Sequence, residues 1–374
     1  MQIQSLNIKQ LRNIRSCQLN FSDGLNIFYG QNGAGKSSLL EAIYTLGNGR
    51  SFRTARHAKV ITDNTDAFTL FASFTENANN RKIGLMRERS GDIQIKIDGE
   101  KVTKLSELSK SLPMQILAPE QYELLTRGPS GRRKLLDWGV FHVEHSFLYD
   151  WHRALKVLKQ RNQALKQSHG KSYEVIKSWD SQLVPLSYAI QEKRKDYLFA
   201  LEPIYQKILK QFLPQLESSF YLYPGWKSDE SLEVILERQF GVDVKTGFTH
   251  SSIQKADLRI LINGKAAAEQ LSRGQQKLVT IALKLSQLKL MQQLKQVNPV
   301  FLLDDIGAEL DINHQKILLD FLANQPENQQ IFITSVHLDP LKRLIKGYNK
   351  AKVFHVEHGA IAEVDSSENN NSEN

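Results

Sequence analysis

Hydrophobic and polar residues alternate along roughly the first thirty positions of the chain, and this alternation predicts β-strands. The last of these strands, LNIFYG at residues 25–30, follows a Ser-Asp-Gly turn. Beyond it the apolar spacing becomes helical, through Leu39, Leu40, Ile43 and Leu46. Residues 58–103 return to short alternating stretches, which predict an antiparallel sheet with hairpin turns.

The middle of the chain has a different pattern. From 133 to about 212, apolar residues recur every three or four positions, which predicts amphipathic helices that are broken or kinked near Pro185 and Pro203. This segment is too short and too often interrupted by proline for a long coiled coil. After about residue 220 the pattern is mixed again, with strands expected at NPVFLLDD and QQIFITSV, a long helix at 278–294 and a closing hairpin at AKVFHVEHGAIAEV.

These patterns predict an α/β fold in three parts. Both ends of the chain, residues 1–130 and 220–365, are expected to form a head with a mixed sheet, flanking helices and an antiparallel subdomain. Residues 131–219 are expected to form an inserted, all-helical arm domain. The polar tail, residues 366–374, is expected to be disordered.

Composition narrows the class of protein. The 374 residues include 49 Lys and Arg against 40 Asp and Glu, and the net charge of +9 favours polyanions such as nucleic acid. Cys17 is the only cysteine, which excludes a disulfide framework and favours a reducing compartment. No apolar stretch has the length of a signal peptide or a membrane span, so we expect a cytoplasmic protein that has no membrane partner.

The stretch GQNGAGKS fits the pattern GxxxxGK[ST] and lies between a predicted strand and a predicted helix, which is the context that this phosphate-binding motif requires. Its glycines let backbone N–H groups converge on phosphate oxygens, and the following helix N-terminus adds a favourable partial charge. Lys36 is expected to reach the β- and γ-phosphates of ATP and to act in catalysis, and Ser37 to ligate Mg²⁺. The predicted nucleotide-binding residues of this loop are Gly30, Gln31, Asn32, Gly33, Ala34, Gly35, Lys36, Ser37 and Ser38.

The apolar run PVFLLDD can supply the second half of such a site. A buried strand that ends in Asp304 would place a carboxylate beside the phosphates, where it holds Mg²⁺ directly or through water. Asp305 follows immediately and is the candidate catalytic residue that orients or deprotonates the attacking water. Taken alone, an apolar run that ends in two aspartates is often only a strand entering a loop.

A third motif, LSRGQQ, precedes the long predicted helix. It is similar to the LSGGQ signature of ATP-binding cassette (ABC) proteins, with Arg273 where a glycine is usual. This resemblance implies that Ser272, Gly274 and Gln275 bind the γ-phosphate of a nucleotide held by a partner subunit, through the charge of a helix N-terminus. A serine that merely caps the helix is the simpler alternative. The stretch AELD, residues 308–311, resembles the D-loop of the same superfamily.

The whole chain resembles one family. Lys36 and Ser272 are separated by a short helical segment and flanking sheet, rather than by hundreds of residues of coiled coil. In the length of this insertion the chain resembles the RecF family of bacterial DNA replication and repair proteins, in the ABC/SMC-like ATPase superfamily. The resemblance implies an ABC-type ATPase head. Five stretches carry the resemblance in the same order: LNIKQLRNI, GRSFRTARHAKVI, RGPSGRRKLLDWGVFH, LKQRNQALK and KADLRI.

The chain departs from the pattern of the family or superfamily in three places, one of them a run of three residues. Ser252, Ile253 and Gln254 stand where the family usually has a Gly-Pro-His element. Gln121 is only a weak match to the glutamine loop of ABC proteins, and His337 lies about two residues beyond the place of their switch histidine.

The resemblance implies an ATP-dependent DNA-binding clamp of recombinational repair. Two copies would close head to tail on ATP, bind single-stranded and duplex DNA at gaps or junctions, and act with RecR and RecO to help load RecA. Such a protein supports replication restart and the SOS response. Asp305, where ABC ATPases usually have the longer Glu, implies slow hydrolysis that suits a dimerisation switch.

Two alternatives remain open, namely the ATPase subunit of an ABC transporter and an architectural SMC-like head. The first would need a surface for a membrane subunit, and the second would need longer coiled-coil arms. The basic residues within the RecF-like stretches are candidates for DNA contact: Arg53, Arg56, Arg132, Arg133 and Lys134.

Overall fold

The computed structural model describes residues 1–76, 79–167, 173–227, 229–295 and 297–364, and the predicted tail lies outside them. The strands are β1 (Gln2–Leu11), β2 (Ile14–Asn20), β3 (Leu25–Tyr29), β4 (Ala67–Glu76), β5 (Asn79–Glu88), β6 (Ile93–Ile97), β7 (Glu100–Val102), β8 (Met114–Leu117), β9 (Ser218–Tyr223), β10 (Asp257–Ile262), β11 (Lys265–Ala266), β12 (Val300–Leu303), β13 (Ile331–Ser335), β14 (Ala351–Glu357) and β15 (Ala360–Val364). The helices are α1 (Lys36–Asn48), α2 (Leu105–Ser111), α3 (Pro129–Val143), α4 (Phe147–Gln167), α5 (Tyr173–Phe212), α6 (Leu232–Thr246), α7 (Ala267–Gln270), α8 (Arg273–Lys295), α9 (Ile306–Glu309), α10 (Ile312–Ala323) and α11 (Lys342–Gly347).

Contacts within the chain divide it into two units. The end unit comprises Met1–Gln121 and Gln296–Asn374, and the middle unit comprises Tyr122–Lys295. The middle unit is larger than the predicted arm because β9, β10, α6 and α8 pack with the arm helices around one apolar cluster. The boundaries of the two compact units therefore differ from those of the predicted head and arm. The division into head and arm stays a prediction.

The end unit contains two six-stranded sheets. The mixed sheet has the order β15-β14-β3-β13-β12-β8, in which only the edge strand β15 is antiparallel to its neighbour. The antiparallel sheet has the order β2-β1-β4-β5-β6-β7. Side chains from both sheets and the apolar stripe of α1 share one core. The predicted strands, first helix, antiparallel subdomain and closing hairpin are all confirmed.

The middle unit is built mainly of helices. The long helix α5 packs against α4 and α8, and a three-stranded antiparallel sheet has the order β11-β10-β9. The partner helix α4 has 21 residues, which is about 31 Å at the helical rise, so the pair makes no long coiled coil. Among the described residues, none of the helices combines the length and the apolar character needed to cross a membrane.

Of the two expectations at the prolines, the break is wrong, and the kink stays a prediction. Helix α5 runs for 40 residues and includes both Pro185 and Pro203. Each proline removes one hydrogen bond to the carbonyl four residues earlier, here that of Ser181 or Phe199. Both prolines and both of those residues are exposed. Water can therefore bind the released carbonyls, and the apolar face on the opposite side keeps the helix in place.

Buried ion pairs fix the helices of the middle unit. The guanidinium of Arg161 on α4 has no exposure and pairs with Asp180 on α5 and, at 2.8 Å, with Asp243 on α6. Arg194 on α5 binds Asp137 on α3 through two hydrogen bonds of 2.9 and 3.0 Å. A buried charge without a partner is costly, so each pair restricts how its helices can pack.

A matched pair of glycines tests the packing in this unit. A Cβ atom added to Gly139 in α3 would lie 2.1 Å from the hydroxyl oxygen of buried Tyr197, whereas one added to exposed Gly241 in α6 would meet no atom within 4 Å. We expect Gly139→Ala to lower the free energy of unfolding by about 1–3 kcal/mol because of overpacking. Gly241→Ala should raise it by about 0.5–1 kcal/mol because alanine favours the helix. Urea unfolding monitored by circular dichroism measures both, and equal effects would contradict the packing described.

Candidate nucleotide site

The predicted site residues of the end unit lie at one edge of the mixed sheet. The strands β3, β13, β12 and β8 are parallel neighbours, so their carboxyl ends meet at that edge. The glycine-rich loop follows β3, Thr334 lies near the end of β13, Asp304 follows β12, and Glu120 lies shortly after β8. Four segments far apart in sequence therefore surround one position above the sheet.

The glycine-rich loop is shaped by backbone conformations that favour glycine. Gly33 and Gly35 have φ angles of 82° and 117°, and a Cβ atom on Gly30 would lie 2.2 Å from the carbonyl oxygen of Val356. Helix α1 begins at Lys36, whose Nζ donates hydrogen bonds of 2.7 and 2.9 Å to the carbonyls of Gly30 and Gln31. The lysine ammonium thus lies across the loop, where phosphate oxygens would meet it.

The loop is also held from its outer side. The carbonyl of Ala34 accepts a 2.8 Å hydrogen bond from the Gly359 N–H, in the turn between β14 and β15. It accepts a second bond, of 3.1 Å, from Nδ2 of Asn13, in the turn between β1 and β2. Both sheets of the end unit therefore restrain the loop, which fixes the direction of its N–H groups before any ligand arrives.

Asp304 is held by two hydroxyl groups. Ser37 Oγ and Thr334 Oγ1 donate to its Oδ1 at 2.9 and 2.7 Å, and neither bond uses Oδ2. Burial raises the pKa of Asp304, and the two hydroxyl donors act against that shift because they favour the charged form. Burial lowers the pKa of Lys36, and the nearby carboxylates of Asp305 and Asp304 oppose it. The buried carboxylate and hydroxyls are hard oxygen donors of the kind that Mg²⁺ prefers.

Asp305 is held in an uncommon backbone conformation. Its φ of 52° lies in the left-handed region, and its N–H donates a 2.8 Å hydrogen bond to the same Thr334 Oγ1 that bonds Asp304. Its Oδ1 is buried and has no hydrogen-bond partner in the part of the chain that the structure describes. A buried carboxylate oxygen without a donor is poised to accept a hydrogen bond from a ligand or a water molecule.

A second group of charges lies beside the loop helix. Glu41 on α1 is fully buried and binds Arg12 through two hydrogen bonds of 2.8 and 2.9 Å. It also accepts a short hydrogen bond from Ser51, and Arg53 lies 3.9 Å from it and 3.8 Å from Glu120. Charges from the β1–β2 turn, α1 and the segment after α1 therefore extend toward Asp304 from the side.

The signature-like residues lie in the middle unit, at the N-terminus of α8. The Ser272 N–H donates to Gln275 Oε1 at 3.0 Å, and the Gln275 N–H donates to Ser272 Oγ at 3.3 Å. This reciprocal pair is a capping box, so the simpler alternative of a helix cap is present. Ser272, Arg273 and Gly274 are nevertheless exposed, which leaves this helix end accessible to an anion. The geometry is compatible with both interpretations.

Comparison with known proteins identifies the family. A family model described as RecF/RecN/SMC N terminal domain matches residues 2–362. A protein of Shewanella piezotolerans named DNA replication and repair protein RecF is 42% identical over 366 residues, which cover 98% of this chain and 100% of that protein. The chain belongs to the RecF family. A RecF protein of Shewanella denitrificans, 40% identical over 365 residues, covers the same share of each chain.

Solved structures extend this result to the RecF fold. A structure of the recombination mediator protein RecF with ATP in the RecFOR pathway has a TM-score of 0.85 at 27% identity and covers 97% of each chain. A second, described as RecF-ATPrS, has a TM-score of 0.82 at 27% identity and covers 97% of this chain and 98% of that one. An Smc head bound to a ScpA domain, at 15% identity and a TM-score of 0.61, covers 99% of each chain and shows the fold alone. The predicted ABC-type head is confirmed.

The RecF-like stretches of the middle unit have structural roles. Arg132 in GRRKLLDW binds Asp257 in KADLRI through two hydrogen bonds of 2.9 Å, and Arg133 donates to the carbonyl of Ala256. In LKQRNQALK, Arg161 is the buried ion-pair residue, and Asn162 accepts a 2.6 Å bond from the hydroxyl of Thr249. Arg132 and Arg133 thus make protein contacts. Lys134 and Arg56 are exposed, and so is Arg53, which also lies near Glu41 and Glu120.

Gln121 and His337, the weak matches to ABC positions, both belong to the end unit. Gln121 has a buried Oε1 that lacks a hydrogen-bond partner among the described residues. His337 is exposed, and its carbonyl accepts a 2.7 Å bond from Ser335 Oγ. Thr334, Asn13 and Glu41 were not predicted from the sequence. A hydroxyl residue near the end of the next apolar strand after Asp305 could have indicated Thr334, but nothing local indicates the other two.

Proposed function

We propose that this chain is an ATP-dependent DNA-binding clamp of recombinational repair. One observation carries the proposal: Lys36, Ser37 and Asp304 converge at one sheet edge in a chain whose full-length relatives are named for DNA replication and repair. The clamp acts in the cytoplasm at gapped or damaged DNA. It works with RecR and RecO to help load RecA, and it supports replication restart and the SOS response.

ATP and Mg²⁺ fit the residues of the end unit. The N–H groups of the loop and Lys36 would hold the phosphates, and Ser37 with Asp304 would hold the metal through oxygen atoms already 2.9 Å apart. Bound Mg²⁺ would neutralise phosphate charge. The bonds from Thr334 and Ser37 keep Asp304 oriented and favour its charged form, so little reorganisation is required when the ligand binds.

Asp305 is the proposed catalytic residue for water. Its Oδ1, which has no hydrogen-bond partner among the described residues, can accept a hydrogen bond from water, and its backbone is fixed through Thr334. The side chain is one methylene shorter than glutamate, so its reach toward the γ-phosphate is smaller. Hydrolysis should therefore be slow, which suits a switch that resets a dimer rather than a motor.

Dimerisation is the proposed use of the nucleotide. The exposed α8 N-terminus of one copy would bind the γ-phosphate held by the other copy, through N–H groups and helix charge. Each site would then be completed by the partner, so ATP favours the dimer and the dimer binds ATP more tightly. The net charge of +9 favours binding of the closed dimer to DNA phosphates.

The two alternatives have weaker support. Relatives that are 40–42% identical over the full chain carry a DNA repair name, which disfavours a transporter subunit. An architectural SMC-like head would not require the RecF-like stretches that fix the middle unit.

Substitution of the loop lysine tests the phosphate site. Lys36→Met keeps most of the unbranched side chain but removes the positive charge that would contact the transferring phosphoryl group. We expect ATP hydrolysis to fall at least about 100-fold in a single-turnover assay. Turnover near that of the wild type would remove the assignment of this loop.

Substitution of Thr334 tests the support of Asp304. Thr334→Val keeps the shape but removes a donor that favours the charged carboxylate, so the pKa of Asp304 rises further. Protons then compete with Mg²⁺ up to a higher pH. We expect Mg²⁺-dependent ATP affinity to be lost at a higher pH than in the wild type, while Thr334→Ser keeps the wild-type profile. Identical profiles for all three proteins, measured by calorimetry over a pH series, would contradict this role.

Substitution of the signature serine tests the dimer. Ser272→Arg places a long side chain where the partner's γ-phosphate should lie, and we expect it to block ATP-dependent dimerisation while ATP binding to the monomer persists. Ser231→Arg is the matched control, because Ser231 is also an exposed N-cap in the middle unit. Sedimentation with ATP and Mg²⁺ separates them. Dimerisation of Ser272→Arg equal to that of the control would refute the head-to-tail clamp.

A further inference from the structure

The antiparallel sheet of the end unit has one apolar face and one polar face. Ile8, Leu70, Leu85 and Ile95 lie opposite one another on consecutive strands and are buried in the core. Along each strand, the residues that alternate with these face the other side of the sheet. One transverse row on that outward face consists of Gln18, Asn7, Phe71, Gly84, Lys96 and Lys101.

Phe71 is the unusual member of this row. It lies on β4, one of the two central strands of this sheet, and 49% of its surface is exposed. Its direct neighbours are Asn7 and Gly84, and a Cβ atom added to Gly84 would be 3.8 Å from the ring. The ring therefore lies beside a strand that has no side chain at that position, with open space above it.

Four lysines lie on the outward face on either side of Phe71. Lys9 and Lys82 are its diagonal neighbours on the two adjacent strands, and Lys96 and Lys101 continue its row. At a strand spacing of about 4.8 Å, the last two lie about 10 and 14 Å from the position of Phe71. Within the described ranges none of the four takes part in an ion pair.

Carboxylates are nearly absent from this face. Among the outward positions of the described strands, the acidic residue is Glu88, which lies opposite Ala67 at the far end of β4. The nearby carboxylates of Glu76 and Asp98 are both paired with Arg81. The face, which we call the Phe71 face, thus combines an exposed aromatic ring with unopposed positive charge.

We propose that the Phe71 face binds single-stranded nucleic acid, with an unpaired base stacked on Phe71 and the flanking phosphates against the lysines. The inference rests on the proposed DNA-binding function and assigns one surface to it. Every base has an aromatic face, so an exposed ring beside cationic side chains binds single strands of any sequence. A duplex hides the faces of its bases, so it could use the lysines but not the ring.

The experiment compares two exposed phenylalanines. Phe71→Ala is tested against Phe199→Ala, since Phe199 is 84% exposed on α5 and far from these lysines in sequence. Fluorescence anisotropy measures the affinity of the full chain for a 20-nucleotide thymidine oligomer and for a duplex of equal length, with and without ATP and Mg²⁺. We expect Phe71→Ala to weaken single-strand binding by about 5- to 100-fold, the effect of one stacked base, and to change duplex binding less than about twofold.

Two further variants separate stacking from charge. Phe71→Trp should retain single-strand binding, and oligomer addition should quench its added fluorescence relative to the wild type. A plot of log affinity against log salt has a negative slope. Lys96→Ala combined with Lys101→Ala should make that slope shallower by about 0.7 for each phosphate that the protein no longer neutralises.

The possible outcomes are distinct. If the wild type binds single strands and Phe71→Ala binds them as tightly as Phe199→Ala does, this inference is wrong while the proposed function stands. Equal losses for the single strand and the duplex would also overturn it, because stacking affects unpaired bases alone. A wild type that binds no DNA in any condition would overturn the proposed function itself.

Discussion

The site depends on one carboxyl group that two hydroxyl donors orient at the buried edge of a parallel sheet. Asp304 can lie there because two hydroxyl groups donate to the same oxygen of its carboxyl group. Ser37 follows β3, and Thr334 lies near the end of the neighbouring strand β13. Burial raises the pKa of Asp304, and the two donors oppose that shift because they favour the charged form, which is the better ligand for a metal ion. Thr334 also binds the Asp305 N–H, so one hydroxyl positions both aspartates. The orientation of the proposed metal ligand Asp304 and of the proposed water-binding residue Asp305 therefore depends on Thr334.

The nucleotide motifs are divided between the two units, and this division gives the proposed mechanism its form. The end unit carries the loop and both aspartates, each held by contacts inside that unit. The middle unit presents the capped and exposed N-terminus of α8, held in place by Gln276, whose side chain bonds two carbonyls before the helix. In the proposed clamp, ATP held by the end unit of one copy also binds the N-terminus of α8 in the other copy.

Much of this could be predicted from the sequence, because the informative patterns are local. The GxxxxGKS loop, the strand ending in Asp304 and the Ser-x-x-Gln cap each specify their structure within a few residues. Thr334 and Asn13 were missed because their partners are over 20 residues away in sequence. The break at the two prolines was predicted wrongly because the effect of a proline on α5 depends on which side of the helix faces water. The hydrogen bonds from Arg132 to Asp257 and from Arg133 to the carbonyl of Ala256 could not be predicted, because each joins residues over 120 positions apart in sequence.

A mixing experiment tests the central claim, that each site is built from two copies. Lys36→Met and Ser272→Arg chains should each be inactive alone, but a mixed dimer pairs intact Lys36 of one chain with intact Ser272 of the other. Equal mixing should therefore restore hydrolysis to at most about a quarter of the wild-type value, since half of the dimers are mixed and each has one intact site. Mixing Lys36→Met with a chain that carries both substitutions should restore nothing. Two inactive variants that stay inactive when mixed would contradict the account.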